Sequence, residues 1–441
     1  MSKKLDFDSL SSVFYGGCKA KDKWRVGTEH EKFGFNSNNL HPISFEDINK
    51  IFDLLSKKYK WEKILENKLV ISLKKNGASI TLEPGGQLEL SGAPFTSLFE
   101  TCNEVNIHKE ELNDVCKTLD INFMGMGVLP KWDLAKIQIM PKKRYEIMSQ
   151  YMPKVGSHGL DMMKRTTTIQ ANFDFSCTED MKTKMRVAQS IQPCIIALYA
   201  NSPFIDGKLT EYQSYRSYIW TKTDKNRTGL LRFIYNKDFC FEDYTDYLLD
   251  IPMYFIIRNK KYIDLTGLTF RDYMKDSTGK FEPTMDDWNN HITTAFPEVR
   301  LKSYIEVRGA DGGPWSRVCA LPAFWTGILY DEEILNRTWD LAKNWKFYEI
   351  ENFYDQARVN GLDAVAPNGE SMKSFLRKVL NYSNIGLKNR KVIKKGCDES
   401  VFLKPLFEII ESGQSPAKFW VNQFVNDWSH DIDMLYKTNY F

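Results

Sequence analysis

The sequence predicts an α+β fold: one large unit over residues 1–330, followed by a mainly helical extension over 331–441 that packs on the same unit. Two observations carry this. Strand-like and helical segments are interleaved from the N-terminal end up to Tyr330, after which helical spacing dominates. No linker, internal repeat or low-complexity tract divides the chain. With 441 residues it exceeds the roughly 250–300 at which one core usually stops growing, so a large sheet with helical additions is expected.

In order, "RVGTEHEKFGF" from Arg25 suits a strand, and "SFEDINKIFDLLSKKY" places Ile48, Ile51, Phe52 and Leu55 at helical spacing behind a Ser/Asp-rich start. "LVISLKKNGASITLEPGGQLELSG" reads as strands around an Asn-Gly turn. "SLFETCNEVNIHKEELNDVCKTLD" is an amphipathic helix, and "INFMGMGVLP" a buried strand running to Pro130. "MMKRTTTIQANFDFS" alternates Thr166, Thr168, Gln170 and Asn172 against Thr167, Ile169, Ala171 and Phe173, so one strand face is polar throughout. Such a face on a central strand would line a pocket. A long helix follows, with a bend expected near Pro193, then a hairpin around Asn259. "RLKSYIEVRGADGGPW" is a strand entering a glycine-rich loop, and "ALPAFWTGILY" a buried helix.

Net charge is +3, from 60 basic and 57 acidic residues, which argues against nucleic acid or an anionic membrane as partner. The basic run "LKNRKVIKKG" is a solvated helix end or loop. No apolar stretch reaches the roughly 18 residues of a membrane span, and "MSKKLDFDSL" has no apolar segment behind its basic start, so a cytoplasmic protein is expected. The 8 cysteines include no CxxC pair, against a zinc site or dithiol motif.

On a strand, Glu29 and Glu31 share one face while His30 takes the other. Alone, the pair reads as a solvated surface. A hard cation such as Mg²⁺ is the other reason to set carboxylates together. Glu83 and Glu89 flank a Pro-Gly-Gly break that leaves their facing open, and Glu306 stands two residues before Arg308, where a plain ion pair would also account for both. Arg144, Arg165, Arg216 and Arg232 each read as surface charges in isolation, but a site for several anions needs such forks. There is no GxxxxGK[ST], no GxGxxG after a strand, no HExxH and no GxSxG. A nucleotide would therefore be held largely through metal.

"VGTEHEKFGF", "LEPGGQLELSGAP", "MGMGVLPKW", "MPKKRYEIMSQYMPKVGS", "GLDMMKRTTTIQANFDFS", "YANSPF", "RTGLLRFIY" and "EVRGADGGPWSRVCALPAFWTGILYDE", in this order, resemble the glutamate–cysteine ligases of plant and proteobacterial type. The resemblance implies a glutamine-synthetase-like fold, with a curved antiparallel sheet forming a funnel surrounded by helices. It implies that ATP phosphorylates the side-chain carboxylate of L-glutamate and that the amine of L-cysteine displaces phosphate, giving γ-glutamylcysteine for glutathione synthesis. By the same resemblance Glu29, Glu31, Glu83, Glu89 and Glu306 would hold two or more Mg²⁺, or Mn²⁺ in its place. Arg144, Arg216 and Tyr254 match contacts to glutamate and the γ-phosphoryl group; Arg165, Gln170, Arg308 and Trp315 lie in matching motifs, with Arg144, Arg216 and Arg308 as the catalytic cations. A ligase using another amine, or an inactive regulatory homologue, are the alternatives, and monomer and homodimer are both expected states. Leu265 stands where a plant regulatory disulfide would place its first cysteine, so that switch should be missing. Cys102 and Cys319 align with another plant disulfide pair but are expected to be buried free thiols in a reducing cytoplasm.

Overall fold

The structure is a computed structural model and describes residues 5–275 and 280–440. Part of the segment expected to lack the regulatory disulfide, residues 276–279, lies outside the described residues. Its centre is a sheet of nine strands: β1 (Val26–Asn36), β2 (Glu62–Glu66), β3 (Leu69–Lys75), β4 (Ala78–Leu82), β5 (Leu88–Ser91), β6 (Ile121–Met124), β7 (Thr168–Phe173), β8 (Val299–Leu301) and β9 (Ile305–Asp311). The order is β8-β9-β7-β1-β5-β4-β3-β2, with β6 on the far half of β1, and every pairing is antiparallel. The predicted α+β class holds, and the sheet is open rather than closed into a barrel.

Turn chemistry sets the registers. Asn76 and Gly77 both take positive φ (50° and 85°), as a two-residue hairpin turn requires, and join β3 to β4. Asn259 and Lys260 do the same for the outlying hairpin Phe255–Arg258/Lys261–Asp264. The Pro-Gly-Gly break forms a turn closed by Gly86 N–H to the Glu83 carbonyl (2.9 Å), between β4 and β5.

Alternation along the strands divides the two faces. Ile169, Ala171 and Phe173 of β7 enter the main apolar core with the helices Thr178–Tyr199 and Ala320–Leu329, while Thr168 and Gln170 point to the other side. The helix Thr178–Tyr199 continues unbroken through Pro193. A second core joins β3 to β5 with the helix Phe45–Tyr59, which buries Ile48, Ile51, Phe52 and Leu55 and starts in a Ser44/Asp47 capping box. Beyond Tyr330 the chain is helical apart from the short hairpin Ile393–Lys394/Cys397–Asp398, which carries part of the exposed basic run.

Two expectations are corrected here. The strand predicted to reach Pro130 ends at Met124, because the glycines that follow make close approaches: a Cβ on Gly125 would collide with the Gly313 carbonyl, and one on Gly127 with the Asp311 carboxylate. The free-thiol reading of Cys102 and Cys319 is also overturned. They form a disulfide with Cα atoms 5.7 Å apart, tying the helix Leu98–Cys116 to the chain ahead of Ala320–Leu329.

Candidate active site

The polar side of the central strands opens on a cavity of 240 Å³. Four of the predicted glutamates line it: Glu29 and Glu31 from β1, Glu83 from the turn after β4, and Glu89 from β5. Gln170, Arg144, Arg216 and Arg308 line the same cavity. The open question about Glu83 and Glu89 is settled by the turn, which lets both face inward. Gln87 holds that turn in place, accepting from Gly85 N–H (2.8 Å) and donating to the Met163 and Thr166 carbonyls (3.2 and 2.9 Å).

The carboxylates are crowded by register. Glu31 pairs directly with Glu89 across β1 and β5, an arrangement of like charges that costs stability unless something lies between them. Burial, reinforced by Glu83, pushes the Glu31 carboxyl up to about 8 in spite of Arg216, Arg308 and a hydrogen bond from Thr168 N–H (3.0 Å). Burial and the charges of Glu83, Glu29 and Glu31 hold Glu89 well above its ordinary range, partly offset by the Ser91 hydroxyl. Glu29 accepts from the Asn172 amide (2.8 Å). Buried carboxylate oxygens that repel one another are the donor type a hard divalent cation takes. Among the described residues no three His, Cys, Asp or Glu side chains are drawn tightly enough together to hold an ion. The four glutamates therefore fit Mg²⁺ in kind and surround a shared space without closing on one point.

The cations are arranged for an anionic guest. Arg144 and Arg216 line the cavity, and each keeps a buried Nε–H without a partner among the described residues. A buried donor left unpaired is costly, so a ligand oxygen there would be strongly favoured. Arg216 Nη2 donates to the Arg308 carbonyl (3.0 Å), and Arg308 Nη1 donates to the Gln170 and Glu306 side chains.

The remaining predicted residues lie elsewhere. Glu306 is fully buried behind Arg308 instead of facing the cavity; it receives Arg300 through two hydrogen bonds (2.7 and 2.9 Å), Lys302 (3.1 Å) and Arg308. Burial opposes its ionisation, but these three cations hold its carboxyl well below the usual range. Arg165 is occupied by Asp161 and by Asp206 (2.7 Å) and does not line the cavity. Tyr254 is buried under the Arg227 guanidinium (3.9 Å). Trp315 meets the edge of His30 (ring centroids 5.2 Å apart), on the opposite side of β1 from Glu29 and Glu31. Arg232 is exposed away from the site. The glycines at the end of β9 and after it are tightly packed: Gly309 and Gly312 are buried, and a Cβ on either would strike Gln192 and Glu298, or Thr167 and the Met126 carbonyl.

Sequence reasoning missed several residues of the site, among them an arginine and two aromatic side chains. Tyr145 and Trp220 line the cavity, and Arg300 joins them through the hairpin that pairs it with Glu306. Strand parity at "VRLKSYIEV" is the signal that could have found Arg300, which sits opposite Glu306; the two aromatic residues left none.

This fold is that of solved carboxylate–amine ligases. A glutamate–cysteine ligase of Francisella tularensis, crystallised in complex with AMP, superposes with a TM-score of 0.53 over 92% of this chain and 85% of that chain at 12% identity. A bifunctional glutathione synthetase of Pasteurella multocida gives 0.51 over 98% of this chain and 53% of that one at 10% identity. By sequence the chain matches Glutamate-cysteine ligase family 2 (GCS2) across residues 25–437, and it belongs to that family. It is 48% identical to glutamate–cysteine ligase B, chloroplastic, of Oryza sativa subsp. japonica (99% of this chain, 88% of the relative). It is 46% identical to the chloroplastic enzyme of Arabidopsis thaliana (98% and 82%). The expected cytoplasmic location is contradicted by these relatives, which are named chloroplastic. Among the described residues no helix is long and apolar enough to cross a membrane.

Proposed function

We propose that this protein is an ATP-dependent ligase that joins the side-chain carboxylate of L-glutamate to the amine of L-cysteine, giving γ-glutamylcysteine, the first step of glutathione synthesis. Family membership along nearly the whole chain carries the reaction. The cavity lined by both glutamates and arginines supports the assignment of residues.

In the proposed chemistry a γ-carboxylate oxygen of glutamate attacks the terminal phosphorus of ATP, ADP leaves, and the resulting γ-glutamyl phosphate is attacked by the cysteine amine, which expels phosphate and sheds a proton. Arg144 and Arg216 would both bind glutamate through their unpartnered Nε–H groups. Arg308, set by Gln170 and Glu306, would add positive charge where the phosphoryl group moves. Glu29, Glu31, Glu83 and Glu89 would hold Mg²⁺, which when bound neutralises phosphate charge. Largely buried walls limit water around the labile acyl phosphate. Residues 1–330 are read as the catalytic unit and 331–441 as its helical extension.

The test is product analysis. The purified protein with ATP, glutamate, MgCl₂ and cysteine should release phosphate and γ-glutamylcysteine in equal amounts, with 2-aminobutyrate and putrescine as competing acceptors. Product with another amine and none with cysteine would reject the substrate assignment.

A further inference from the structure

Asp311, at the end of β9, is 1% exposed, makes no salt bridge among the described residues and does not line the cavity. An isolated buried carboxylate is expensive unless its oxygens are satisfied. Here they are satisfied by the segments that carry Arg216. Oδ2 accepts from Asn201 N–H (2.9 Å) and the Ser202 hydroxyl (2.6 Å), and Oδ1 accepts from the Ser214 hydroxyl (2.7 Å).

Both serines must spend their hydroxyl proton on Asp311, which turns their lone pairs toward the backbone. Ser202 Oγ then accepts from the N–H of Arg216 itself (3.0 Å), and Ser214 Oγ caps the helix Tyr215–Thr221 by accepting from Ser217 N–H (3.2 Å). The far end of Arg216 is fixed on the same strand, because its Nη2 donates to the carbonyl of Arg308. Backbone and guanidinium of Arg216 are thus both referred to β9, the strand that also carries Arg308. Space for the carboxylate is reserved by Gly127, where a Cβ would collide with it.

We propose that Asp311 is a positioning residue that, through Ser202 and Ser214, sets the place of Arg216 relative to Arg308 and so the affinity for glutamate. This rests on the ligase reading above. An apolar hub would fill the same space without fixing the direction of either hydroxyl.

The experiment compares wild type, Asp311→Asn, Ser202→Ala and Ser202→Thr, each confirmed folded by thermal melting. Asp311→Asn and the milder Ser202→Ala should raise KM for glutamate about ten-fold or more, since small misplacements of a binding group carry large kinetic penalties. KM for ATP should stay within about two-fold, and Ser202→Thr, which keeps the hydroxyl, should restore the glutamate value. A merely structural role would lower the melting temperature without separating the two KM values. Glutamate dissociation constants from calorimetry give the same comparison without turnover, so a wild type that forms no product would count against the ligase reading, and an unchanged affinity ratio against this one. The proposal is overturned if Ser202→Ala leaves glutamate affinity within two-fold of wild type, or if affinity for glutamate and ATP shifts together.

Discussion

Replacing Glu306 by Gln tests whether this residue serves the fold or a metal. Glu306 has no solvent exposure and faces Arg300, Lys302 and Arg308 at hydrogen-bonding distance. The substitution keeps the volume but removes the charge, and turns an amide N–H₂ toward guanidinium donors. Breaking a buried ion pair by removing one partner costs about 3–5 kcal/mol. Arg300 is also 6% exposed and held by the Thr293 and Ala295 carbonyls, so it cannot readily swing away to recover hydration. A loss of about 4 kcal/mol is a fall of roughly a thousand-fold in the folded-to-unfolded ratio. Urea unfolding followed by the fluorescence of the 11 tryptophans, in EDTA at pH 7.5, should show the midpoint lowered by about 1–2 M at unchanged slope. A midpoint in EDTA equal to wild type, with only the stabilisation by added Mg²⁺ lost, would refute the reasoning and return Glu306 to the metal.

Three further outcomes are expected. Arg144→Lys keeps a charge but loses the free Nε–H, and should weaken glutamate binding by about 10–100-fold, the worth of a charge-assisted hydrogen bond, as read by calorimetry. Glu31→Gln removes the direct opposition to Glu89; in EDTA it should melt slightly higher, by the equivalent of about 0.2–1 kcal/mol, while product formation collapses. His291 Nε2–H donates to the Leu248 carbonyl (2.8 Å), and burial drives its pKa from 6.5 down to about 3. A base depressed in the fold contributes stability that is present above its unfolded pKa and lost as pH falls through the folded one. The loss should accumulate between pH 6.5 and about 3 and reach a few kcal/mol. His291→Gln, followed by acid unfolding, should flatten that limb; an identical acid profile would count against the assignment.

How far the sequence carries depends on the range of the interaction. Strand parity needs only neighbours, and it placed Glu29 and Glu31 together, and Thr168 beside Gln170, on the face that became the cavity. The Asn-Gly signal likewise needs only its own backbone. What local pattern did not show depends on partners that the fold brings in. Glu306 sits two residues from Arg308 in either reading, and only its register against Arg300 shows that its charge is already matched. Trp315 lies in a matching motif, yet the loop carries it behind β1. Cys102 and Cys319 are 217 residues apart, and no local pattern reports that their helices meet. Asp311 was hidden in a run of glycines that resembles any turn.

Because β1 is hydrogen-bonded on both edges, by β7 and β5 along one half and by β6 on the other, it has no free side on which to absorb an added or lost residue. Deleting one residue ahead of Glu29 would rotate the whole row, presenting His30 and Lys32 to the substrates and burying two acids against His108. Variation in length should therefore be tolerated in the loops around this strand and eliminated within it.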